Sequence, residues 1–161
     1  IVLSYCETYG IDTVVVRPFN NFGPRQNPGS YAGIIPIAIR KILNREPIEI
    51  FDDGEQTRDF VFVRDTANEM VKIYEEERTR GMVINIASGR ETSVNSLVSQ
   101  FKSVMGVPDH IVVHSAPRPG DVRRHCGDVT RLKEFTGFEA GTISTETLTE
   151  TVEWYKSVMQ S

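Results

Sequence analysis

Four short segments of the sequence concentrate residue types that bind polar ligands. The first, residues 17–25, reads RPFNNFGPR and follows a run of β-branched residues. Asn20 and Asn21 could offer amide groups to a ligand, and Phe19 and Phe22 could offer flat apolar surfaces. Ligands of open parallel sheets bind where the strands end, so this segment is a candidate binding site. A turn whose aromatic side chains fill the core is an equally good interpretation.

The second segment, residues 54–63, contains Arg58 where a loop enters a predicted strand. An arginine at such a point could bind a phosphate through two parallel hydrogen bonds, because its guanidinium is planar and always charged. The alternative, which the residues by themselves favour, is a surface ion pair of Arg58 with Asp59 or Asp65.

The third segment, residues 118–124, holds three arginines within seven residues of an acidic protein. These arginines predict a local positive patch, and Asp121 between them could accept hydrogen bonds from the diol of a sugar. The alternative is a solvated basic loop, because most runs of charge lie on a solvated surface.

The fourth segment, residues 85–89, ends a predicted strand just before a helix, a geometry that favours anions. A tight turn followed by a helix N-cap is the stronger interpretation, because the segment has a single glycine. Patterns of other chemistries, GxGxxG, P-loop, GxSxG and HExxH, do not occur in the sequence. The three histidines are scattered and the two cysteines lack metal-ligand spacing, so we expect no metal site.

Composition and net charge limit the classes of partner that we expect for this protein. The chain has 161 residues, the size of one domain or a piece of a larger one, with a net charge of −4. An acidic balance argues against a nucleic-acid partner, although a small phosphorylated ligand needs only a few local cations. The apolar runs are far below the ~18 residues of a membrane span, so we expect no membrane partner. Two cysteines form no disulfide scaffold, which makes the cytoplasm the expected location.

Strands and helices are predicted to alternate along the chain, which indicates an α/β fold. Residues 13–17 form a continuous β-branched run that predicts a strand buried on both faces, and residues 20–33 predict a loop. The other predicted strands are 48–51, 58–63, 82–87 and 111–114. The predicted helices are 1–10, 34–43, one that begins near residue 65, 93–105, 128–135 and 145–159.

The helix near residue 65 carries two specific predictions. Thr66 and Glu69 have the spacing of a capping box, which would place the helix start at Asp65 or Thr66. Its apolar residues repeat at helical spacing and predict a stripe that packs against the core. That stripe consists of Ala67, Met70, Val71 and Tyr74.

Taken together and in this order, the segments resemble the extended short-chain dehydrogenase/reductase family, and within it the NAD-dependent nucleotide-sugar epimerases and dehydratases of the UDP-glucose 4-epimerase type. The motifs that carry the resemblance are RPFN with GPR, GEQTRDF, NIASG and RPGD. The resemblance covers essentially the whole chain. It implies a nucleotide-diphosphate sugar as ligand and NAD as cofactor of the intact enzyme, with transient oxidation at the sugar C4.

The resemblance also implies which part of such an enzyme this is. We expect the C-terminal, substrate-binding half, with the last strands of a Rossmann-type parallel sheet, a small α/β substrate domain and no N-terminal NAD-binding part. Residues 1–30 and 64–90 would belong to the Rossmann core, and residues 31–63 and 91–161 to the substrate-binding subdomain. Residues 1–10 look like the end of a helix, so we expect residue 1 to be a cut rather than a natural start.

Roles of single residues follow from the resemblance alone. Pro18 and Phe19 correspond to positions that line the nicotinamide side of the site. Asn20 corresponds to a contact of the substrate diphosphate. The other implied substrate contacts are Ile34, Ile35 and Pro36 beside the ligand, Glu49, Ile50 and Phe51 along the base, Arg58 and Arg118 on the diphosphate, and Asp121 on the ribose.

Catalysis is not expected from this chain alone. The family uses a catalytic Tyr-x-x-x-Lys pair and a glycine-rich NAD motif, and neither occurs in the sequence. The alternatives to a part of an epimerase or 4,6-dehydratase are a free-standing nucleotide-sugar-binding module and an inactive truncated product. The base, the sugar and the type of reaction stay open. Intact relatives are implied to be homodimers, through helices that are mostly missing here.

Overall fold

Helices and short strands alternate along the chain in the computed structural model, which describes residues 1–27, 33–139, 141 and 143–159. The helices of these residues are α1 (Val2–Tyr9), α2 (Ile34–Leu43), α3 (Val63–Glu75), α4 (Val94–Val104), α5 (Thr130–Thr136) and α6 (Thr145–Met159). The strands are β1 (Val15–Pro18), β2 (Asn20–Phe22), β3 (Ile48–Phe51), β4 (Thr57–Arg58), β5 (Phe60–Phe62), β6 (Val83–Ile86), β7 (Thr92–Ser93) and β8 (Val112–Ser115).

The described strands pair two by two. β1 pairs with β6, β2 with β5 and β3 with β8, all in parallel, and β4 pairs with β7 in antiparallel orientation. Parallel neighbours need long connections, and these carry the helices. The predicted α/β class with parallel strands is therefore confirmed.

Three apolar clusters hold these elements together. One joins β2, β5, α4 and α6 through buried aromatic residues, and α2 adds Ile35 and Ile39 to it. The aromatic residues are Phe22, Phe60, Phe62, Phe101 and Tyr155. A second packs α2 and α4 against β3, and a third packs α3 and α5 against β6. Tyr155 also ties α6 to the segment after β2, since its hydroxyl donates to the backbone oxygen of Gln26 at 2.8 Å. Burial raises the pKa of Tyr155 to about 12, so the hydroxyl keeps its proton.

Several predicted elements agree with the structure because their residue patterns are strong. α1 ends at Gly10, whose φ of 64° is the left-handed conformation that glycine accepts without strain. α2 buries Ile35, Ala38, Ile39 and Ile42, as its helical spacing predicts. α4 begins after Ser93, whose hydroxyl accepts a hydrogen bond from the backbone N–H of Ser96.

The first strand and the loop after it differ from the prediction. β1 begins at Val15, and Arg17 and Pro18 are exposed, so the strand is not buried on both faces. In the described part of the chain β1 has a single partner strand, which explains the exposure. Residues 20–22, predicted as loop, pair with β5 as β2. Residues 28–32 of the predicted loop, and the predicted domain boundary between residues 30 and 31, lie outside the described residues.

Helix α3 departs most from the prediction. It begins at Val63 without a side-chain cap, and the Thr66 hydroxyl donates to the Asn21 side-chain oxygen at 2.5 Å. The predicted capping box is therefore wrong. The buried positions are Thr66, Glu69 and Ile73, while all four residues of the predicted apolar stripe are exposed. The apolar residues of the predicted stripe share one face of α3, but no described element packs against that face.

Candidate functional site

A cleft of about 570 Å³ lies beside α2, β3, β4 and the segment of residues 116–127, which we call the basic loop. Most residues predicted to contact a sugar nucleotide line it: Asn20, Ile34, Ile35, Glu49, Ile50, Phe51, Arg58, Arg118 and Asp121. The remaining predicted contact, Pro36, is buried in α2 and is not part of the lining. The fold thus brings together residues that are far apart in sequence, and their binding roles stay predictions.

Arg58 is held at the cleft by backbone oxygens. Its Nη1 donates to the oxygens of Thr57 at 2.7 Å and Val122 at 2.6 Å, and its Nη2 forms an ion pair with Asp121. The surface pair with Asp59 or Asp65 is therefore not formed. Two neutral acceptors orient the guanidinium, while its one charged partner is a carboxylate that is 34% exposed. An incoming anion could replace that carboxylate without moving Arg58.

Arg118 lies flat on an aromatic ring. Its guanidinium carbon is 3.6 Å from the centre of the Phe51 ring, a cation–π contact. Among the described residues the guanidinium makes no hydrogen bond or ion pair, so its N–H groups are available to a ligand. A tight turn, in which the N–H of Asp121 donates to the oxygen of Arg118 at 3.2 Å, brings these two side chains to the same cleft.

The other two arginines of the basic loop are engaged elsewhere. Arg123 binds both carboxylate oxygens of Asp53, at 2.6 and 2.9 Å, and Arg124 binds both oxygens of Glu91, at 3.0 and 2.5 Å. These hydrogen bonds lower the pKa of Asp53 and of Glu91 to about 2. The predicted single positive patch is thus divided, and of its three arginines only Arg118 lines the cleft.

The cleft also contains polar residues that were not predicted. Lys41 lies on α2, where its spacing from Ile34 and Ile37 is the i, i+3, i+7 pattern of one helix face. Gln56 precedes Arg58 by two residues, the period that places side chains on the same face of a strand. Both spacings were available in the sequence. Lys41 is paired with Glu46 at 2.5 Å.

Behind the cleft lies a buried carboxylate, Asp59, with no exposed surface. It accepts hydrogen bonds from the N–H groups of Ser88, Gly89 and Gly127 at 2.7, 2.9 and 3.0 Å, and from the Ser88 hydroxyl at 2.7 Å. We call these residues, with Cys126 at 3.7 Å, the Asp59 cluster. The amides of residues 88 and 89 therefore bind the chain's own carboxylate, and the interpretation of residues 85–89 as a tight turn is the better one.

The Asp59 cluster orients one neighbouring side chain and changes the pKa of another. The Asn20 side-chain amide donates to the backbone oxygen of Asp59 at 3.0 Å, which orients it at the cleft. Partial burial, and next the negative charge of Asp59, raise the pKa of the Cys126 thiol. The thiol therefore stays protonated near neutral pH and is no nucleophile.

Pro18 and Phe19 lie outside the cleft. Pro18 is exposed and carries no N–H, and the Phe19 N–H already donates to Ile86 at 2.9 Å. The Phe19 ring stacks on His125 with 4.8 Å between centroids. These residues offer an apolar edge, which suits a contact with the nicotinamide ring but supplies no donor for the phosphates of NAD; their place on the nicotinamide side stays a prediction.

Comparison with known proteins now identifies the family. The family model described as "NAD dependent epimerase/dehydratase family" matches residues 1–87, more than half of the chain. This chain belongs to the NAD-dependent epimerase/dehydratase family.

Individual relatives are similar over nearly the whole chain. It is 34% identical over 156 residues to a UDP-glucose 4-epimerase of Mycolicibacterium smegmatis, covering 97% of this chain and 49% of the relative. It is 29% identical to a dTDP-glucose 4,6-dehydratase of Streptomyces niveus, with 97% and 45% covered. A structure of UDP-glucose 4-epimerase from Thermotoga maritima with UDP-glucose superposes with a TM-score of 0.89 at 36% identity, covering 97% of this chain and 50% of that one.

These comparisons correct one prediction. The chain spans about half the length of the curated relatives it matches. We expected that half to be the C-terminal, substrate-binding one, lacking the NAD-binding part. The model of the NAD-dependent family instead matches the first 87 residues, from α1 through β6, so the assignment is to the family and not to its C-terminal half.

Two further features bear on ligands. No helix of the described residues combines the length and apolarity needed to cross a bilayer. In the same part of the chain, histidine, cysteine and acidic side chains form no group of three or more that could hold a metal ion.

Proposed function

We propose that the cleft binds a nucleoside-diphosphate sugar, as part of a protein that epimerises or dehydrates such sugars through transient oxidation at C4. One observation carries the proposal: two arginines, an aromatic ring and a carboxylate line the same cleft, as Arg58, Arg118, Phe51 and Asp121. A diphosphate requires paired cations, a base requires a flat surface, and a ribose diol suits a carboxylate acceptor.

The relatives support the class of ligand. The Thermotoga maritima structure contains UDP-glucose, and the relatives are named for UDP-glucose and dTDP-glucose. We carry over the shared chemistry, a diphosphate between a pyrimidine nucleoside and a hexose. The relatives include UDP-glucose 4-epimerases and a dTDP-glucose 4,6-dehydratase, so the proposal covers epimerisation and dehydration.

Each lining residue has a role in this proposal. Arg58 and Arg118 bind the diphosphate, with the Asn20 amide as a further donor, and Asp121 moves from Arg58 to the ribose. Glu49, Ile50 and Phe51 form the wall along the base, and Ile34 and Ile35 pack beside the ligand. Pro36 acts from within α2, by setting the start of that helix.

NAD would act as the hydride acceptor in the whole protein. Pro18 and Phe19 contribute at most an apolar edge contact to it, and we derive no step from them. Because no Tyr-x-x-x-Lys pair occurs in the sequence, we expect the 161-residue chain to bind the sugar nucleotide without converting it.

We also retain the two-part division of the chain as a proposal. The third apolar cluster, around β6 and α3, would belong to the Rossmann-type part, and the other two clusters to the substrate-binding part. Leu132 of α5 belongs to the third cluster, although it lies within residues 91–161.

The proposal is tested by replacing one arginine of the basic loop and comparing it with a neighbour. Arg118→Ala should weaken binding of UDP-glucose or dTDP-glucose by roughly 1.5–3 kcal/mol, the size of a charge-assisted hydrogen bond. Isothermal titration calorimetry measures the affinity. Arg123→Ala is the matched control, because it removes the same charge from the same loop outside the cleft.

Equal affinities of wild type and Arg118→Ala would contradict the binding site. A free-standing nucleotide-sugar-binding module is the alternative to a part of an epimerase or dehydratase. Turnover of UDP-glucose or dTDP-glucose by the purified chain with NAD would exclude that candidate.

A further inference from the structure

A second cavity, of about 780 Å³, adjoins the cleft and plays no part in the proposed function. Asn21 and Gln26 line both spaces, so the two meet at β2 and the segment that follows it. The other lining residues come from this same stretch, from the first turns of α3 and from α6. They are Phe22, Gly23, Pro24, Arg25, Val63, Arg64, Ala67, Glu150 and Trp154, and we call the space that they enclose the side cavity.

Close packing fixes the walls of the side cavity. Gly23 has a φ of 136°, and a Cβ atom at this position would lie 2.6 Å from Cγ1 of Val63, so a larger residue could not approach α3 as closely. The Tyr155 hydroxyl donates to the backbone oxygen of Gln26 at 2.8 Å and thereby holds the segment on α6. The side cavity therefore lies between elements that are packed against one another.

Apolar surface and one unpaired cation define the chemistry of the side cavity. Phe22 and Trp154 contribute apolar surface, and Arg64 forms an ion pair with Glu150 at 2.6 Å, so these two charges cancel. Arg25 is exposed and makes no hydrogen bond or ion pair with any described residue. Ligand pockets of this size typically combine apolar walls with a few polar groups that orient the ligand. The Arg25 guanidinium suits a carboxylate, which it can bind through two parallel hydrogen bonds.

The place where the two spaces meet indicates which part of the ligand would enter the side cavity. The residues that we assign to the base and the ribose do not line it. Asn20, which we assign to the diphosphate, directly precedes Asn21, which lines both spaces. In a nucleoside-diphosphate sugar the diphosphate lies between the nucleoside and the hexose. The group that reaches past Asn21 is therefore the hexose.

We propose that the side cavity receives a carboxylate carried by the hexose and that Arg25 binds it, so that nucleotides of acidic sugars are the preferred ligands. This inference rests on the proposed function, and it adds the class of sugar. A hexose with a carboxylate on C5 supplies the charge that Arg25 lacks. Glucose has a hydroxymethyl group there and leaves the guanidinium without a charged partner.

The test compares UDP-glucuronic acid with UDP-glucose, which differ by a carboxylate in place of the hydroxymethyl group. In isothermal titration calorimetry the wild type should bind UDP-glucuronic acid roughly tenfold more tightly, the effect of one hydrogen bond to a charged group. Arg25→Ala should bind the two ligands with similar affinity. Arg45→Ala is the matched control and should keep the preference. Arg45 is likewise exposed and has a φ of 58° against 69° for Arg25, but it lines neither space.

UDP separates this inference from the proposed function. It lacks the hexose, so the wild type and Arg25→Ala should bind it equally. If the wild type binds UDP but does not prefer UDP-glucuronic acid, or if Arg25→Ala keeps the preference, the role of Arg25 is overturned and the diphosphate site stays intact. Failure of the wild type to bind UDP and both sugar nucleotides would overturn the proposed function as well. The wild-type comparison needs no variant, so it decides the question even if Arg25→Ala does not fold.

Discussion

Two carboxylates beside the basic loop behave in opposite ways, Asp59 in its cluster and Asp121 in the cleft. Asp59 has no exposed surface and accepts from three backbone N–H groups and one hydroxyl. Asp121 is 34% exposed on its side chain, and its partner is the side chain of Arg58. A buried charge is tolerated only when fixed donors satisfy it, whereas an exposed pair contributes little and can exchange. The Asp59 cluster therefore holds parts of the fold together, whereas the contact of Asp121 in the cleft can be exchanged for a ligand.

The largest expected effect is in the Asp59 cluster. Asp59→Asn replaces an acceptor oxygen by an NH₂ group that faces N–H donors, and buried donors then lose their partner. We expect the free energy of unfolding to fall by about 3 kcal/mol, as for other disrupted buried charge networks. Urea denaturation followed by circular dichroism measures it. A loss below about 1 kcal/mol would remove the distinction between the two regions.

The same substitution in the cleft should affect ligands rather than stability. Asp121→Asn should change the free energy of unfolding by less than about 1 kcal/mol, because exposed ion pairs contribute little. It also frees Arg58 of its carboxylate, so inorganic pyrophosphate should bind a few-fold more tightly. Nucleotide should bind less tightly, because the proposed acceptor for the ribose is weakened. Calorimetry with both ligands checks this, and weaker binding of pyrophosphate would show that Asp121 does not compete for Arg58.

The smallest effect concerns pH and the part of the basic loop outside the cleft. The pKa of Asp53 falls from 3.8 to about 2 and that of Glu91 from 4.5 to about 2, through hydrogen bonds to Arg123 and Arg124. A lowered folded-state pKa stabilises the fold above the ordinary pKa, and that contribution is lost as pH falls toward 2. The loop should therefore stay attached from neutral pH to about 4 and loosen below it.

The loop's arginine side-chain N–H resonances in NMR spectra report this attachment. The signals of Arg123 and Arg124 should stay constant down to pH about 4 and shift together below it. Shifts that begin near pH 6 would contradict the lowered pKa values and would assign the attachment to another group.

Much of the fold could be predicted because local patterns were strong. α2 and α4 have helical stripes that match their buried faces, and β3 agrees with its alternating residues. Helix α3 shows where such patterns stop: its apolar stripe is exposed, and Glu69 is buried with 1% exposure. Helical spacing of apolar residues predicts which face of a helix could pack against the core. Which face is actually buried depends on the elements around the helix.

The candidate site was predictable as a set of residues and not as an arrangement. The sequence by itself determined the α/β class, the family, and the residue types that suit a diphosphate and a sugar. Only the tertiary structure decided that Arg58 meets Asp121 rather than Asp59, and that Arg118 is the one arginine of its loop that lines the cleft. Arg58 and Asp121 are 63 residues apart, and contacts over such separations arise from packing, which no local pattern encodes.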